Sequence, residues 1–402
     1  MTQATEAGRA IRGIAALCFL IATIEGFDMQ AVGVVASRLG PALHLGPAQM
    51  GLFFSTATIG LIAGSLFGGR LADRHGRRAV LLPSLILFGL FSFATALSFN
   101  FSSLLAARLI TGIGIGAALP CMVASVAEAS RPGRAAAAVA ALYAGMPTGG
   151  AVASLIAALN LFEGWKPIFM IGGIVPLLIA PLVPFVMPNI VPRRETVGPT
   201  TPLAALFGPG AVTVTLLLWS GFFGALLVHG LLLNWLPSLL IVRGVGSSDA
   251  VLVQVLFNLA GATGSILAGR AMDAFNQKAV VAMAFVGLAV ALVVLAAPLP
   301  QVAFLFGGGA LVGLASMGVQ GIIYGLASRC YPAAMRGTGV GAAVAVGRAG
   351  SVAGPLLAGG LMAAGRGGAG VLTAVLPVAL AAGAAIFLLV EKKGASTSDI
   401  AA

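Results

Sequence analysis

Gly64-Ser65-Leu66-Phe67-Gly68-Gly69-Arg70-Leu71-Ala72-Asp73 returns 200 residues later as Gly264-Ser265-Ile266-Leu267-Ala268-Gly269-Arg270-Ala271-Met272-Asp273, with five of the ten positions identical. Residues as different in chemistry as Gly, Ser, Arg and Asp do not coincide at one offset by accident, so the chain reads as two copies of one unit. Each copy closes an apolar run, and apolar runs dominate everything around it. Hydrophobic residues make up 59% of the 402 residues, charged residues 8%, and the mean hydropathy is +1.07. A globular domain carries about a quarter charged residues, so the solvent of this chain is lipid. Crossing a hydrocarbon core takes about 20 apolar residues, and backbone groups there must bond within the segment, which selects helices. A β-barrel would alternate polarity over about 10 residues, and no such alternation is seen.

Spans are expected at 12–35, 50–72, 79–98, 103–128, 135–159, 166–187, 210–236, 250–272, 278–297, 301–327, 335–363 and 369–390. The polar stretch from Pro188 to Pro209, with Arg193, Arg194 and Glu195, divides them six and six. The expected organisation is a six-helix half over 1–188, a cytoplasmic linker over 189–209 and a second six-helix half over 210–402. The fold class is an all-α membrane protein of twelve transmembrane helices. Because both copies of the repeat lie on the same side, the halves form parallel pseudo-repeats, an arrangement found in transporters that bind between rocking halves.

Lys and Arg favour cytoplasmic loops. Sixteen of the 22 basic residues fall at the first terminus and in every second loop, among them Arg70, Arg74, Arg77, Arg78, Arg270 and Arg329. Only Arg38, Lys166, Arg243 and Arg366 fall in the opposite loops, so both termini are expected in the cytoplasm. The net charge of +11 is then mostly topology and no nucleic-acid partner is implied. Arg9 and Arg12 ahead of an apolar run imitate a signal peptide, but Glu25 and Asp28 interrupt that run, so the first helix is expected to stay attached. Cys18, Cys121 and Cys330 show neither a disulfide nor a metal-ligand spacing, and no metal or cofactor is expected.

Ionisable residues inside spans are functional candidates by default. Glu25 and Asp28 are three apart and share a helix face. Two like charges so close in low dielectric resist ionising together, which lets the pair exchange a proton as a unit near neutral pH. The competing reading is static pairing with Arg108 or another base. Arg348, a permanent cation in a glycine-rich helix, suits bidentate capture of a carboxylate, against a structural role as partner to Glu25 or Asp28. Tyr143, Asn234, Trp235, Gln320 and Tyr324 are polar or aromatic residues within spans that would line a substrate site, or else bond between helices. His229 reads as a packing residue, while His44 and His75 fall in loops. Asp73, Arg74, Arg77, Arg78, Glu128 and Asp273 read as a gate of ion pairs at the cytoplasmic helix ends. The second copy has Asn276 and Gln277 where the first has Gly76 and Arg77, so a weaker gate is expected there. Glycines four apart, Gly60 with Gly64, Gly112 with Gly116, Gly145 with Gly149 and Gly350 with Gly354, predict close helix packing.

These motifs carry a resemblance. Gly69-Arg-Leu-Ala-Asp73-Arg-His-Gly76-Arg77-Arg78 resembles the loop motif of the major facilitator superfamily, and Arg108-Leu-Ile-Thr-Gly112-Ile-Gly-Ile-Gly116 its fourth-helix motif. Glu25-Gly26-Phe27-Asp28, Asn234-Trp235-Leu236-Pro237 and Gly341-Ala-Ala-Val-Ala-Val-Gly-Arg348 are similar to segments of its aromatic acid/proton symporters, over nearly the whole chain. Glu25 departs from the Asp that many of them carry. The resemblance implies a non-enzymatic symporter of the bacterial inner membrane, acting as a monomer in lipid, with an aromatic carboxylate and protons as its partners. It also implies that Arg108 transfers protons or holds the first-helix acids. One rival is a proton-driven exporter of hydrophobic compounds, although Gly145-Met-Pro147-Thr-Gly149-Gly150 only partly resembles the drug/proton antiporter motif. A membrane sensor would need a signalling extension that the short tails do not offer, and an intramembrane enzyme a catalytic set that is not discernible.

Overall fold

The computed structural model describes residues 2–130, 134–187, 206–208, 211–298, 302–331 and 336–398. Among these there is no strand, and twelve helices are long and apolar enough to cross a membrane. They are α1 (Ile11–Val34), α2 (Pro47–His75), α3 (Arg77–Ala96), α4 (Phe101–Ala129), α5 (Ala137–Ala158), α6 (Lys166–Val186), α7 (Ala211–Ile241), α8 (Ser247–Ala274), α9 (Gln277–Ala296), α10 (Phe304–Cys330), α11 (Thr338–Ala363) and α12 (Gly368–Lys392). The largest departure from expectation is α7. Pro237 looks like a stop, yet the helix runs through it to Ile241 on the apolar residues that follow.

Helix limits have local causes. Asn100 caps α4 by accepting from the Ser103 amide at 2.8 Å, and Pro47 opens α2 at a position that needs no amide donor. Gly76 separates α2 from α3 with φ of 90°, a conformation that disfavours any side chain. At the matching break between α8 and α9, Asn276 instead accepts from the Lys278 amide at 2.9 Å and from that of Ala279. Pro147 lacks the amide that would bond the Tyr143 carbonyl, and the α5 helix breaks at Ala144.

The chain forms two compact units, Met1–Glu195 and Thr196–Ala402. The expected linker, including Arg193 and Arg194, lies almost wholly outside the described residues. Within the first unit α2 packs along α4, α1 along α5, and α3 on both α4 and α6. Within the second, α8 packs along α10, α7 along α11, and α9 on both α10 and α12. The internal plan repeats, down to single contacts. A Cβ added at Gly64 would fall on the Ile113 carbonyl, and one at Gly264 on the Leu314 carbonyl. Likewise Gly149 lies against the Thr23 carbonyl as Gly354 lies against that of Leu227, 205 and 204 residues further on. Backbone-to-backbone approach of this kind is how helices associate where apolar burial gives little drive.

The outward surface is apolar: Phe67 and Met283 are each 66% exposed and Leu178 is 71% exposed, as lipid-facing residues are. The basic residues of the sparse set of loops have structural duties. Arg38 donates to the Asn160 side chain and to the carbonyls of Phe162 and Gly164, tying down the loop between α5 and α6. Arg243 donates to the carbonyls of Leu295 and Ala297 and so closes the C-terminus of α9, where a cation is favoured. Burial at this contact lowers the pKa of the Arg243 guanidinium from its ordinary value. Lys166 stands over the Trp165 ring, 5.8 Å from its centroid.

Candidate functional site

Glu25 and Asp28 lie one turn apart on α1, and neither exposes any surface. Arg108, on α4, is the largest fully buried side chain among the described residues. Its Nη1 donates to Asp28 Oδ2 at 2.7 Å, forming an ion pair without access to solvent. The other carboxylate oxygen, Oδ1, accepts from Ser92 Oγ on α3. The guanidinium also lies 5.6 Å from the centroid of the Phe169 ring on α6. Its Nε and Nη2 have no hydrogen-bond partner among the described residues, so the hold on Asp28 is through one nitrogen only. Gly172 leaves the room: a Cβ there would sit 3.1 Å from Ser92 Oγ and 3.3 Å from Asp28 Oδ1. Four helices thus converge on one carboxylate. The sequence pointed to Glu25, Asp28 and Arg108 but not to Ser92, Phe169 or Gly172, whose only signal is a small or hydroxyl residue in an apolar run.

The second half places its polar residues differently. Arg348 on α11 is partly buried and makes no ion pair among the described residues. Arg348 is near enough to His229 on α7 to act on it electrostatically. His229 is not mere apolar packing: its Nδ1 lies 3.0 Å from Ser316 Oγ, and its ring stacks on Phe257. Asn234 turns its Nδ2 back to the Gly230 carbonyl at 2.8 Å. Trp235 is 4% exposed and donates from Nε1 to the Pro355 carbonyl at 3.1 Å, so its ring bridges α7 and α11. Tyr324 packs edge-on to Phe222 with centroids 5.1 Å apart. The Gln320 Nε2 has no partner among the described residues, and Tyr143, in the first half, is 43% exposed.

At the helix ends that carry the repeated motif, Arg77 pairs with Glu128, while Asp73 and Arg74 are exposed and Arg78 partly buried, none of the three in an ion pair with a described residue of its own half. The corresponding ends of the second half also carry pairs. Asp273 accepts from Arg329 at 2.7 Å and Glu391 from Lys278 at 3.2 Å, because α10 and α12 supply charges that the motif itself lacks. Those pairs are largely exposed, whereas Arg77 is 15% exposed. Among the described residues no group of His, Cys, Asp and Glu is placed to hold a metal ion.

The family model described as Major Facilitator Superfamily matches residues 18–253 and 244–401. The chain belongs to the major facilitator superfamily. Within the superfamily it is 41% identical, over 94% of its length and 93% of the other, to the 3-(3-hydroxy-phenyl)propionate transporter of Escherichia coli (strain K12). It is 32% identical to the gallate transporter of Pseudomonas putida, over 88% of this chain and 86% of that one. A bacterial homologue of the lysosomal transporter Spinster, solved facing inward and unoccupied, superposes with a TM-score of 0.81 at 19% identity, over 95% of this chain and 97% of that one. At that identity the likeness shows the fold alone. The superfamily chain described here is accordingly a multi-pass membrane transporter and not an enzyme.

Proposed function

We propose that this transporter imports an aromatic carboxylate such as 3-(3-hydroxyphenyl)propionate together with protons, by alternating access, as a monomer in the bacterial inner membrane with both termini cytoplasmic. The buried Asp28–Arg108 pair, one turn from Glu25, carries the coupling part of this reading, and the relatives' named substrates support the choice of cargo. Away from the helix ends the spans hold four formal charges, Glu25, Asp28, Arg108 and Arg348, which sum to zero. A bound carboxylate alone makes that sum negative, and a bound proton alone makes it positive. Both together restore neutrality. Charge in low dielectric is expensive, so the empty and the doubly loaded carriers cross and the half-loaded ones are held back.

In this scheme the Glu25 and Asp28 pair takes the proton as a unit, and Arg108 holds Asp28 in the reach of Glu25. Arg348 takes the substrate carboxylate, with Tyr143, Asn234, Trp235, Gln320 and Tyr324 forming or bracing the walls for the ring. Asp73, Arg74, Arg77, Arg78, Glu128 and Asp273 make and break contacts at the cytoplasmic ends as the halves move. Purified protein in proteoliposomes, given an inward proton gradient, should accumulate 3-(3-hydroxyphenyl)propionate against its own gradient. No uptake of any aromatic acid, or uptake indifferent to the proton gradient, contradicts the proposal.

A further inference from the structure

The charge-balance scheme leaves one buried polar cluster unused, and it lies wholly in the second half. Gln254 and Asn258, one turn apart on α8, are 0% and 1% exposed. Asn258 Nδ2 donates to the Gln254 backbone carbonyl at 3.0 Å. A carbonyl oxygen only accepts, so this bond fixes which way the Asn258 amide faces and leaves its Oδ1 as the outward atom. Among the described residues that Oδ1 has no hydrogen-bond partner, and neither Oε1 nor Nε2 of Gln254 has one. On the same face of α8, Phe257 stacks on the His229 ring with centroids 5.9 Å apart and planes at 27°. His229 in turn meets Ser316 on α10.

An unmade hydrogen bond at a buried polar atom costs about 1–3 kcal/mol, and native proteins seldom leave such atoms unfilled. Two of the three atoms here are acceptors, so their occupant must bring hydrogen-bond donors. A carboxylate brings none, and neither does a plain benzene ring. A phenolic hydroxyl brings one donor for an amide oxygen and lone pairs for the Gln254 Nε2 hydrogens. We propose that Gln254 and Asn258 form the subsite that recognises a ring hydroxyl of the aromatic acid, and so select hydroxylated over unsubstituted rings. This rests on the aromatic acid reading given under Proposed function. It adds two specificity-determining residues that contact the end of the substrate remote from its carboxylate.

The test compares 3-(3-hydroxyphenyl)propionate with 3-phenylpropionate, which lacks only the hydroxyl, in proteoliposomes of the full chain. The quantity read is the ratio of kcat/KM for the two acids, which does not depend on how much protein folds. Wild type should favour the hydroxylated acid by about tenfold or more, and Asn258→Leu and Gln254→Met should each bring the ratio toward one. Gln254→Met is nearly isosteric and stands in if Asn258→Leu does not reach the membrane. A wild type that moves both acids equally well, or variants that keep the wild-type ratio, would overturn the subsite and leave the amides to water while the transport reading stands. A wild type that moves no aromatic acid would overturn both.

Discussion

In the first half Glu25, Asp28 and Arg108 gather three charges where none reaches solvent; at the matching positions of the second half stand His229, Leu232 and Gly309. The matching follows from the glycine contacts, since Thr23 corresponds to Leu227, Gly149 to Gly354 and Ile113 to Leu314. By the same register Arg348 corresponds to Tyr143. The packing of the two halves is thus alike where glycine lets backbone meet backbone, and unlike in the charged side chains deep inside the spans. Close helix approach constrains the small residues on one face and leaves the inward polar positions free to diverge. One frame therefore holds a fixed internal ion pair in its first copy and, among the described residues, an arginine without an ion pair in its second.

The comparison can be broken at several strengths. Arg108→Gln leaves Asp28 buried beside a neutral amide and should destabilise the first half by about 3–5 kcal/mol, read as loss of folded protein in the membrane. Adding Asp28→Asn should recover much of that loss, while Arg348→Gln, which removes no ion partner, should leave the amount of folded protein near that of wild type. Gly149→Val and Gly354→Val press on equivalent carbonyls and should lower thermal stability in detergent alike, by about 1–3 kcal/mol or more. A large difference between them would show that the repeated contact does not bear equally in the two halves. Arg38→Ala and Arg243→Ala should each cost about 1 kcal/mol in the same assay through lost caps on carbonyls. Smallest of all, Arg329→Ala should cost about 0.2–1 kcal/mol because its pair with Asp273 is exposed, and Arg77→Ala should cost more than that because its guanidinium is mostly buried.

The twelve spans were legible because lipid makes a span a matter of composition and length. The Gly60, Gly64, Gly112 and Gly116 spacing marked these helices for close packing without saying against which neighbour, and the structure sets α2 against α4. The partners of Asp28 were not legible. Ser92 and Gly172 are ordinary residues of apolar helices until α3 and α6 are brought against α1, and no local signal encodes that approach. Trp235 reads equally as a wall residue or as a bond between helices, and its Nε1 is on the Pro355 carbonyl, since a polar edge inside a helix bundle serves packing as readily as a ligand. His229 was set aside as packing, yet Glu25 is its counterpart, and only the register of the repeat reveals this. Gln254 and Asn258 are amides one turn apart in an apolar helix, and only the burial of α8 shows that they lack partners among the described residues.

The division of labour is tested most directly by separating exchange from accumulation in proteoliposomes. With labelled 3-(3-hydroxyphenyl)propionate on one side and unlabelled acid on both, Glu25→Gln should still exchange the acid but no longer accumulate it when a proton gradient is imposed. Arg348→Ala should lose exchange and accumulation together. Proton-driven accumulation persisting in Glu25→Gln, or undiminished exchange in Arg348→Ala, would contradict the assignment of protons to the first half and carboxylate to the second.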